Sequence, residues 1–283
     1  MSESYVYSIA NIISNDDPLT IVDIGASLAG GDAPRYSGLI EDGKARLIAF
    51  EPDQSALRAL KEKYPPPHIC LPLFVGDGKP GTYFETTWGP TGSLFEPNKL
   101  LLEKFDYLAE IAAVINQWPV DTVRLDDVPE IGNVDFFKID AQGAELMVFQ
   151  NAPRVLSGVS LIHTEVSFVE IYKGAPLFGD IDRQLRSMGF QWHALTGFGT
   201  RPFRPMKFEE APKHEFIQQL WGDVVYVRNW MSFDLFPATK LIKLAVLLHD
   251  LYSSYDLAHA AMAAADRQLG TDYAENYAKW LAE

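Results

Sequence analysis

The sequence predicts a doubly wound α/β fold, with a mostly parallel sheet flanked by helices and followed by a C-terminal helical appendage. Apolar segments of strand character alternate with amphipathic segments of helical periodicity, at the spacing of βαβ units. The segment Val134–Asp140 is almost continuously apolar, which is typical of a central strand that is buried on both faces. After Phe236 no strand pattern recurs, and two segments rich in Ala, Leu and Tyr have helical periodicity.

The order of the elements follows from these patterns and from the residues that interrupt them. Pro65–Pro67 must end a helix, because proline lacks the backbone donor and restricts the residue before it. The predicted strands cover residues 20–24, 45–50, 69–75, 81–87, 120–125, 134–140, 161–166, 190–195 and 223–228. The predicted helices cover residues 4–15, 34–40, 55–63, 98–115, a segment from 144 that Pro153 interrupts, 177–188, 237–254 and 256–282. We therefore expect a lead-in helix in residues 1–18, a cofactor-binding domain in 19–230 and the helical appendage in 231–283.

The composition excludes several classes of protein. The 283 residues carry a formal net charge of −14, which disfavours a nucleic-acid partner because such affinity depends on clustered Lys and Arg. Cys70 is the only cysteine, so the chain has neither a disulfide framework nor a cysteine-based zinc site. The N-terminus lacks the pattern of a secretory signal, and the apolar run Leu241–Leu251 is too short to span a bilayer. We expect a cytoplasmic protein without stable membrane insertion.

The main functional signal is a series of acids at predicted strand ends, namely Asp23 two residues before Gly25, Glu51 after the second strand and Asp77 after the third. Parallel sheets bind nucleotide cofactors at the carboxyl ends of their strands. Glycine lets the backbone approach a ligand, and a carboxylate can accept both ribose hydroxyl protons. Ser27 occupies the position of the second glycine in a nicotinamide-binding turn. Because Asp23 would repel a pyrophosphate and attract an ammonium or sulfonium group, the pattern favours S-adenosylmethionine over a nicotinamide cofactor.

Several motifs resemble those of FkbM-type S-adenosylmethionine-dependent methyltransferases. The most specific are Lys138-Ile-Asp-Ala-Gln-Gly-Ala-Glu145 and Glu165-Val-Ser-Phe168. The others are Asp23-Ile-Gly-Ala-Ser27, Phe50-Glu-Pro52, Gly92-Ser-Leu94, Leu125-Asp-Asp127, Pro176-Leu-Phe178, Gly189-Phe190 and Gly222-Asp-Val-Val-Tyr-Val-Arg228. The resemblance covers roughly residues 19–228 and departs from the family's pattern at Ser27, where the family usually has Asn. It implies the seven-stranded, Rossmann-like sheet of class I methyltransferases.

The resemblance also implies a reaction and a set of cofactor residues. The reaction is methyl transfer from S-adenosylmethionine to oxygen, on a hydroxyl of a sugar, a glycoconjugate or a secondary metabolite, with S-adenosylhomocysteine as product. The positions that would line the cofactor by resemblance are Asp23, Gly25, Ser27, Glu51, Asp77 and Asp140. We also expect Ala26, Pro52, Ser93 and Gln142 to contact the cofactor.

A hydroxyl acceptor needs a proton acceptor near the carboxyl ends of the central strands. Asp140 and Glu165 are the favoured catalytic candidates, and His163 is a further choice because it shares a strand face with Glu165. Asp126, Asp127, Asp140 and Glu165 would offer oxygen ligands to Mg²⁺. No ligand spacing singles out a metal, so we favour a metal-free site.

Loops on the same edge of the sheet are expected to contact a small-molecule or carbohydrate acceptor. Trp88–Phe95 could close as a lid, and Arg201, Arg204 and Lys207 could meet a phosphate or carboxylate of the acceptor. The C-terminal helices would either pack on the sheet domain or mediate a homodimer. The alternatives to O-methylation are N- or C-methylation of a small molecule, a non-catalytic S-adenosylmethionine-binding scaffold or regulator, and nicotinamide-dependent oxidoreduction.

Overall fold

The computed structural model describes residues 8–14, 16–28, 33–208 and 216–283. The strands are β1 (Leu19–Ile24), β2 (Ala45–Phe50), β3 (Ile69–Leu71), β4 (Phe74–Val75), β5 (Pro80–Thr86), β6 (Val114–Val123), β7 (Phe136–Ile139), β8 (Leu161–Ser167), β9 (Phe190–Thr200) and β10 (Gln219–Arg228). The helices are α1 (Ser37–Glu41), α2 (Gln54–Lys63), α3 (Lys99–Leu102), α4 (Leu108–Ile111), α5 (Glu145–Gln150), α6 (Pro153–Gly158), α7 (Phe178–Ser187), α8 (Ala238–Tyr252), α9 (Tyr255–Leu269) and α10 (Tyr273–Leu281).

Seven strands form one sheet in the order β3-β2-β1-β7-β8-β10-β9. The first five of these are parallel to their neighbours, whereas β10 runs antiparallel to both β8 and β9. All six residues of β1 are buried, as expected for a central strand covered on both faces. The predicted doubly wound, mostly parallel sheet of seven strands is therefore confirmed.

A second sheet, in the order β4-β6-β5, accounts for two corrections. The strand predicted over 69–75 is divided, because β3 stays in the large sheet while β4 pairs with β6. The helix predicted over 98–115 is wrong, since α3 and α4 are single turns and β6 already begins at Val114. β6 pairs antiparallel with β5, a non-local contact that overrides the helical periodicity of the segment.

The helices α8 and α9 cover one face of the large sheet. Leu244 and Leu248 of α8 and Ala261 of α9 are buried in the same apolar core as Leu19 and Ile21 of β1. Packing of the C-terminal helices on the sheet is confirmed, and a homodimer through them stays a prediction. The single helix predicted over 256–282 is wrong, because α9 ends at Leu269 and the next residue, Gly270, has a left-handed φ of +69°. Of the helices in the described part of the chain, none has the length and apolar character needed to cross a bilayer.

The predicted lead-in helix lies partly outside the described residues. Residues 1–7 and 15 are among those not described, and Ala10–Ile12 form a short 3-10 helix. Ser8 Oγ donates to Asp250 Oδ2 of α8 at 2.6 Å, so this segment contacts the C-terminal helices.

Asp135 is the main polar connection between the sheet and α8. Its carboxylate is buried and accepts from Thr20 N at 2.9 Å, Lys240 Nζ at 2.7 Å and Lys243 Nζ at 3.5 Å. Lys243 Nζ also donates to Asp17 Oδ1 at 2.7 Å. One carboxylate thereby joins β1, the start of β7 and two consecutive turns of α8.

We expect Asp135→Ala to lower the free energy of unfolding by about 3–5 kcal/mol, because it leaves Lys240 and Lys243 without their buried counter-ion. Urea denaturation followed by circular dichroism measures this loss. Asp234→Ala is the matched control, because Asp234 pairs with Arg267 at the surface and should contribute less than about 1 kcal/mol. Similar, small losses in both variants would contradict a structural role for the α8 contact.

Candidate active site

The turn after β1 brings the carboxyl ends of β1, β2 and β7 together. Gly25 has a φ of +74°, and its N–H donates to Phe50 O at 3.0 Å. A Cβ atom at this position would lie 2.0 Å from Asp140 O, so only glycine fits. Ala26 is buried and also donates to Phe50 O, at 3.3 Å, whereas Ser27 is exposed. The turn therefore presents backbone and small side chains where a nucleoside can approach closely.

Asp23 lies beneath this turn and is held by two protein donors. Its Oδ2 accepts from the Tyr36 hydroxyl at 2.6 Å, and its Oδ1 accepts from Lys138 Nζ at 3.0 Å. Burial and the charge of Asp23 raise the pKa of the Tyr36 hydroxyl well above its usual value, so the tyrosine stays a donor. In this arrangement Asp23 joins β1 to β7 and to α1. Its contact with the positive end of the cofactor stays a prediction.

Glu51 follows β2 and is buried beside the glycine turn. Its Oε1 accepts from Asp53 N at 2.8 Å, and among the described residues Oε2 has no hydrogen-bond partner. Burial raises the pKa of this carboxyl, with smaller contributions from Asp53 and Asp23. Pro52 lies next to it and is half-buried. A buried carboxylate with an uncommitted oxygen at a strand end suits the two hydroxyls of a ribose.

Asp77 does not end a strand of the large sheet. It follows β4 in the small sheet, where it accepts from Lys79 N at 3.1 Å and pairs with Lys79 Nζ at 3.1 Å. This contact with Lys79 lowers the pKa of the Asp77 carboxyl. The position expected for Asp77 at the end of the third strand is therefore wrong, because that strand of the large sheet ends at Leu71. Contact of Asp77 with adenine stays a prediction, but the position of Asp77 at the end of a strand of the large sheet no longer supports it.

Asp140 and Glu165 lie side by side at the ends of β7 and β8. Oxygens of the two carboxyl groups lie within 4.8 Å of each other. The Gln142 amide lies between them, and its Nε2 donates to Asp140 Oδ1 at 2.5 Å and to Glu165 Oε2 at 3.0 Å. Burial raises the pKa of both acids, Glu165 well above its usual value, while Lys138 opposes the increase at Asp140. The predicted pair is thus adjacent, and at least one of its members tends to hold a proton.

Two loops fix Gln142 in an uncommon backbone conformation with a φ of +49°. Ser93 Oγ donates to Gln142 O at 2.6 Å and accepts from Phe95 N at 2.8 Å. The Tyr172 hydroxyl lies 2.7 Å from Gln142 Oε1 and 3.0 Å from Thr91 O. Ser93, predicted to line the cofactor, is buried here and connects the loop 88–95 to the turn after β7.

Glu145 and His163 are engaged by neighbours within the protein. Glu145 is buried and accepts from Ala141 N at 2.7 Å and Gly143 N at 3.0 Å, while burial and the charge of Asp140 raise its pKa to about 7. His163 Nδ1 lies 2.9 Å from the Tyr252 hydroxyl, and its Nε2 lies 3.5 Å from Asp223 Oδ1. Both imidazole nitrogens therefore face partners, so His163 is less available as a proton acceptor than Glu165.

The cluster also contains residues that the sequence patterns did not single out, namely Tyr36, Tyr172, Asp223 and Tyr252. Asp223 lies within the quoted Gly222–Arg228 segment, and its register position opposite Glu165 could have been anticipated from an antiparallel β8–β10 pair. No local signal identifies the three tyrosines, because each contacts a residue that is distant in sequence or on another element.

The comparison with known families is decisive. A family model described as the methyltransferase FkbM domain matches residues 23–192. The chain belongs to the FkbM methyltransferase family.

Solved structures with similarity to this FkbM methyltransferase share little sequence with it. Magnesium protoporphyrin IX methyltransferase from Synechocystis PCC 6803, with bound SAM, has 11% identity and a TM-score of 0.33, over 75% of this chain and 70% of that chain. TrmK from M. capricolum, in complex with S-adenosyl-homocysteine, has 10% identity and a TM-score of 0.35, over 94% of this chain and 99% of that chain. No curated protein matches the chain significantly.

FkbM methyltransferases use S-adenosylmethionine, and the residues present fit this cofactor. Gly25 lets the turn pass against the Asp140 backbone at the strand ends, and Glu51 has an oxygen without a hydrogen-bond partner among the described residues. The cofactor's ammonium and sulfonium would meet the negative field of Asp23 and Asp140. These contacts of individual residues stay predictions, whereas the identity of the cofactor follows from the family.

The acids considered for Mg²⁺ do not converge on one site. Asp126 accepts from Arg154 N and Val155 N, both at 2.9 Å, at the start of α6. Asp140, Glu145 and Glu165 do come together, with oxygens within 4.8 Å of one another. Hydrogen-bond donors already lie among these oxygens, namely the Gln142 amide and the turn's backbone N–H groups. The cluster is therefore built around hydrogen bonds, and the metal-free site stays a prediction.

We expect Glu51→Ala to weaken binding of S-adenosylhomocysteine about tenfold to a hundredfold, because charge-assisted hydrogen bonds to the ribose contribute about 1.5–3 kcal/mol. Isothermal titration calorimetry measures the affinity. Glu62→Ala, an exposed glutamate on α2, is the control and should bind as the unmodified protein does. Equal affinities in all three proteins would remove Glu51 from the cofactor site.

Proposed function

We propose that this FkbM methyltransferase methylates a hydroxyl group, carried by a sugar, a glycoconjugate or a secondary metabolite. The observation that supports this most is the half-buried Asp140–Glu165 pair beside the glycine turn after β1, with both acids held by the Gln142 amide. An alcohol must lose its proton as the new bond forms, and a carboxylate of raised pKa is a suitable acceptor for it.

Bound S-adenosylmethionine supplies an electrophilic methyl group on a sulfonium. The protein's own task is to orient the donor and the acceptor and to receive the proton. Glu51 holds the ribose, and the turn at Gly25 lets the donor lie against the ends of β1 and β7. Glu165 or Asp140 then takes the hydroxyl proton, and the Gln142 amide contacts both carboxyl groups.

Gln142 keeps the pair in a productive arrangement. Its amide gives one N–H to each carboxylate, so both acids keep oxygens that face away from the amide. This contact lowers the pKa of Asp140 and partly offsets the effect of burial. Tyr172 and Ser93 act through Gln142, because they hold its side chain and its carbonyl.

The same charges favour a hydroxyl over an amine as acceptor. Asp140, Glu165 and Asp223 create a negative field at the strand ends, with Lys138 as a nearby cation. Such a field stabilises an amine as its ammonium ion, which has no lone pair to attack a methyl group. A neutral hydroxyl keeps its lone pairs in this field and can donate its proton to a carboxylate.

The product identifies the reaction. The protein is incubated with isotope-labelled S-adenosylmethionine and a cell extract, and labelled products are analysed by mass spectrometry and NMR. We expect the label as a methyl ether. Label on nitrogen or carbon would support the other methylation chemistries, and no labelled product despite cofactor binding would support a non-catalytic role.

We expect Asp140→Asn and Glu165→Gln each to lower turnover about 10²–10⁴-fold, because each removes a proton acceptor, while S-adenosylhomocysteine still binds. Asp121→Asn, at an exposed position of β6, is the control. Full turnover in both site variants would contradict the assigned pair.

We also expect kcat/KM to rise with pH through the raised pKa of the pair, since the carboxylate form accepts the proton and the protonated form does not. In Gln142→Leu the pKa of Asp140 should rise further, because a hydrogen bond to its ionised form is lost. The acidic limb of the pH profile should therefore move to higher pH. An unshifted profile would show that Gln142 does not act on the pair.

A further inference from the structure

Arg201 is a half-buried guanidinium without a carboxylate partner among the described residues. Its Nη1 donates to Thr200 O at 2.8 Å, and burial alone lowers its pKa. Arg228 also has no carboxylate partner among the described residues, but its guanidinium donates hydrogen bonds to backbone carbonyls. These include Val159 O and Met188 O, both at 2.7 Å. Arg204 pairs with Glu110. Arg201 therefore differs from both, because most of its five donors remain available.

The Trp221 ring holds Arg201 in place. The guanidinium carbon of Arg201 lies 5.2 Å from the centre of this ring, as in a cation–π contact. On β9, a Cβ atom at Gly199 would lie 1.9 Å from the Trp221 ring, so glycine is what lets the ring lie against the neighbouring strand. The Trp221 ring is thus packed against the strand and also positions the cation.

This cation belongs to the same edge of the sheet as the catalytic candidates. In the β8–β10 register, Trp221 is opposite Ser167 and Asp223 is opposite Glu165. Trp221 and Asp223 are two residues apart, so their side chains share one face and their Cα atoms are about 7 Å apart along the strand. Through Trp221, Arg201 thus lies at the same end of β10 as Asp223, the residue opposite Glu165.

We propose that Arg201 and Trp221 form a subsite for an oxyanion, a carboxylate or a phosphate, on the same molecule whose hydroxyl is methylated. The inference rests on the proposed function and defines the substrate class as an anionic hydroxyl compound. Asp140, Glu165 and Asp223 repel the oxyanion, whereas the guanidinium can bind it with two parallel hydrogen bonds. These opposite charges fix one orientation, with the hydroxyl at the carboxylate pair and the anion at Arg201.

The test follows the indole N–H resonance of Trp221 in isotope-labelled protein that is saturated with S-adenosylhomocysteine. Trp221→Phe assigns this resonance. The probes are D-glucuronate, a glucose phosphate and neutral D-glucose, which separate a carboxylate, a phosphate and a compound without charge. We expect saturable shifts with at least one anionic sugar and an affinity at least tenfold weaker for glucose.

Arg201→Gln should weaken binding of the anionic sugar about tenfold to a hundredfold, because it removes a charge-assisted bidentate contact. Arg201→Lys should recover only part of the affinity, since it keeps the charge without the planar fork. Lys104→Gln is the control, because it removes one positive charge from an exposed residue whose backbone oxygen accepts from Arg204 N, and it should have little effect.

Equal binding of glucose and glucuronate, no response at Trp221 to either anion, or unchanged affinity in Arg201→Gln would overturn the subsite. This failure is distinct from a failure of the proposed function. Methyl ether formation that Arg201→Gln leaves unchanged refutes the subsite alone. Anion binding at Arg201 without any labelled product from the methylation assay refutes the proposed function alone.

Discussion

The burial of several carboxylates at the ends of β1, β7 and β8 is the constraint on which the site depends. Each buried ion carries a desolvation cost of several kcal/mol unless nearby groups compensate for it. Asp23 is compensated by Lys138 and Tyr36, and Glu145 by two backbone N–H groups. Compensation is only partial at Asp140, Glu145 and Glu165, whose pKa values stay raised. Acids with raised pKa values that lie together in this way are typical of sites that transfer a proton.

The amide that contacts both Asp140 and Glu165 belongs to Gln142, whose backbone conformation is uncommon. Gln142 adopts a positive φ, which costs about 1–3 kcal/mol for a residue other than glycine. The strain is maintained because the Gln142 amide bridges both carboxylates, and because Ser93 and Tyr172 hold the same residue from two loops. The geometry of the pair is therefore a property of three segments that meet at one residue.

The sequence alone predicts those strands and site positions whose determinants lie close together in the chain. The bounds of β2 are predicted without error, and those of β1 within one residue, because apolar runs followed by an acid mark buried parallel strands. Asp140 and Glu165 were found for the same reason, since carboxyl ends of neighbouring strands meet at one edge. The segment 98–115 and the location of Asp77 were missed because both depend on pairing of β6 with β4 and β5. Cross-strand pairing of this kind leaves little periodicity in a single segment.

The C-terminal helices supply a hydrogen-bond partner to His163, although they lie beyond the residues that the family model matches. Helix α8 brings Tyr252 against the sheet, where its hydroxyl lies 2.9 Å from His163 Nδ1. Its other ring nitrogen, Nε2, lies 3.5 Å from Asp223 Oδ1 of β10. The imidazole is therefore held between a C-terminal helix and an antiparallel strand, and its orientation depends on two segments that are distant from it in the sequence.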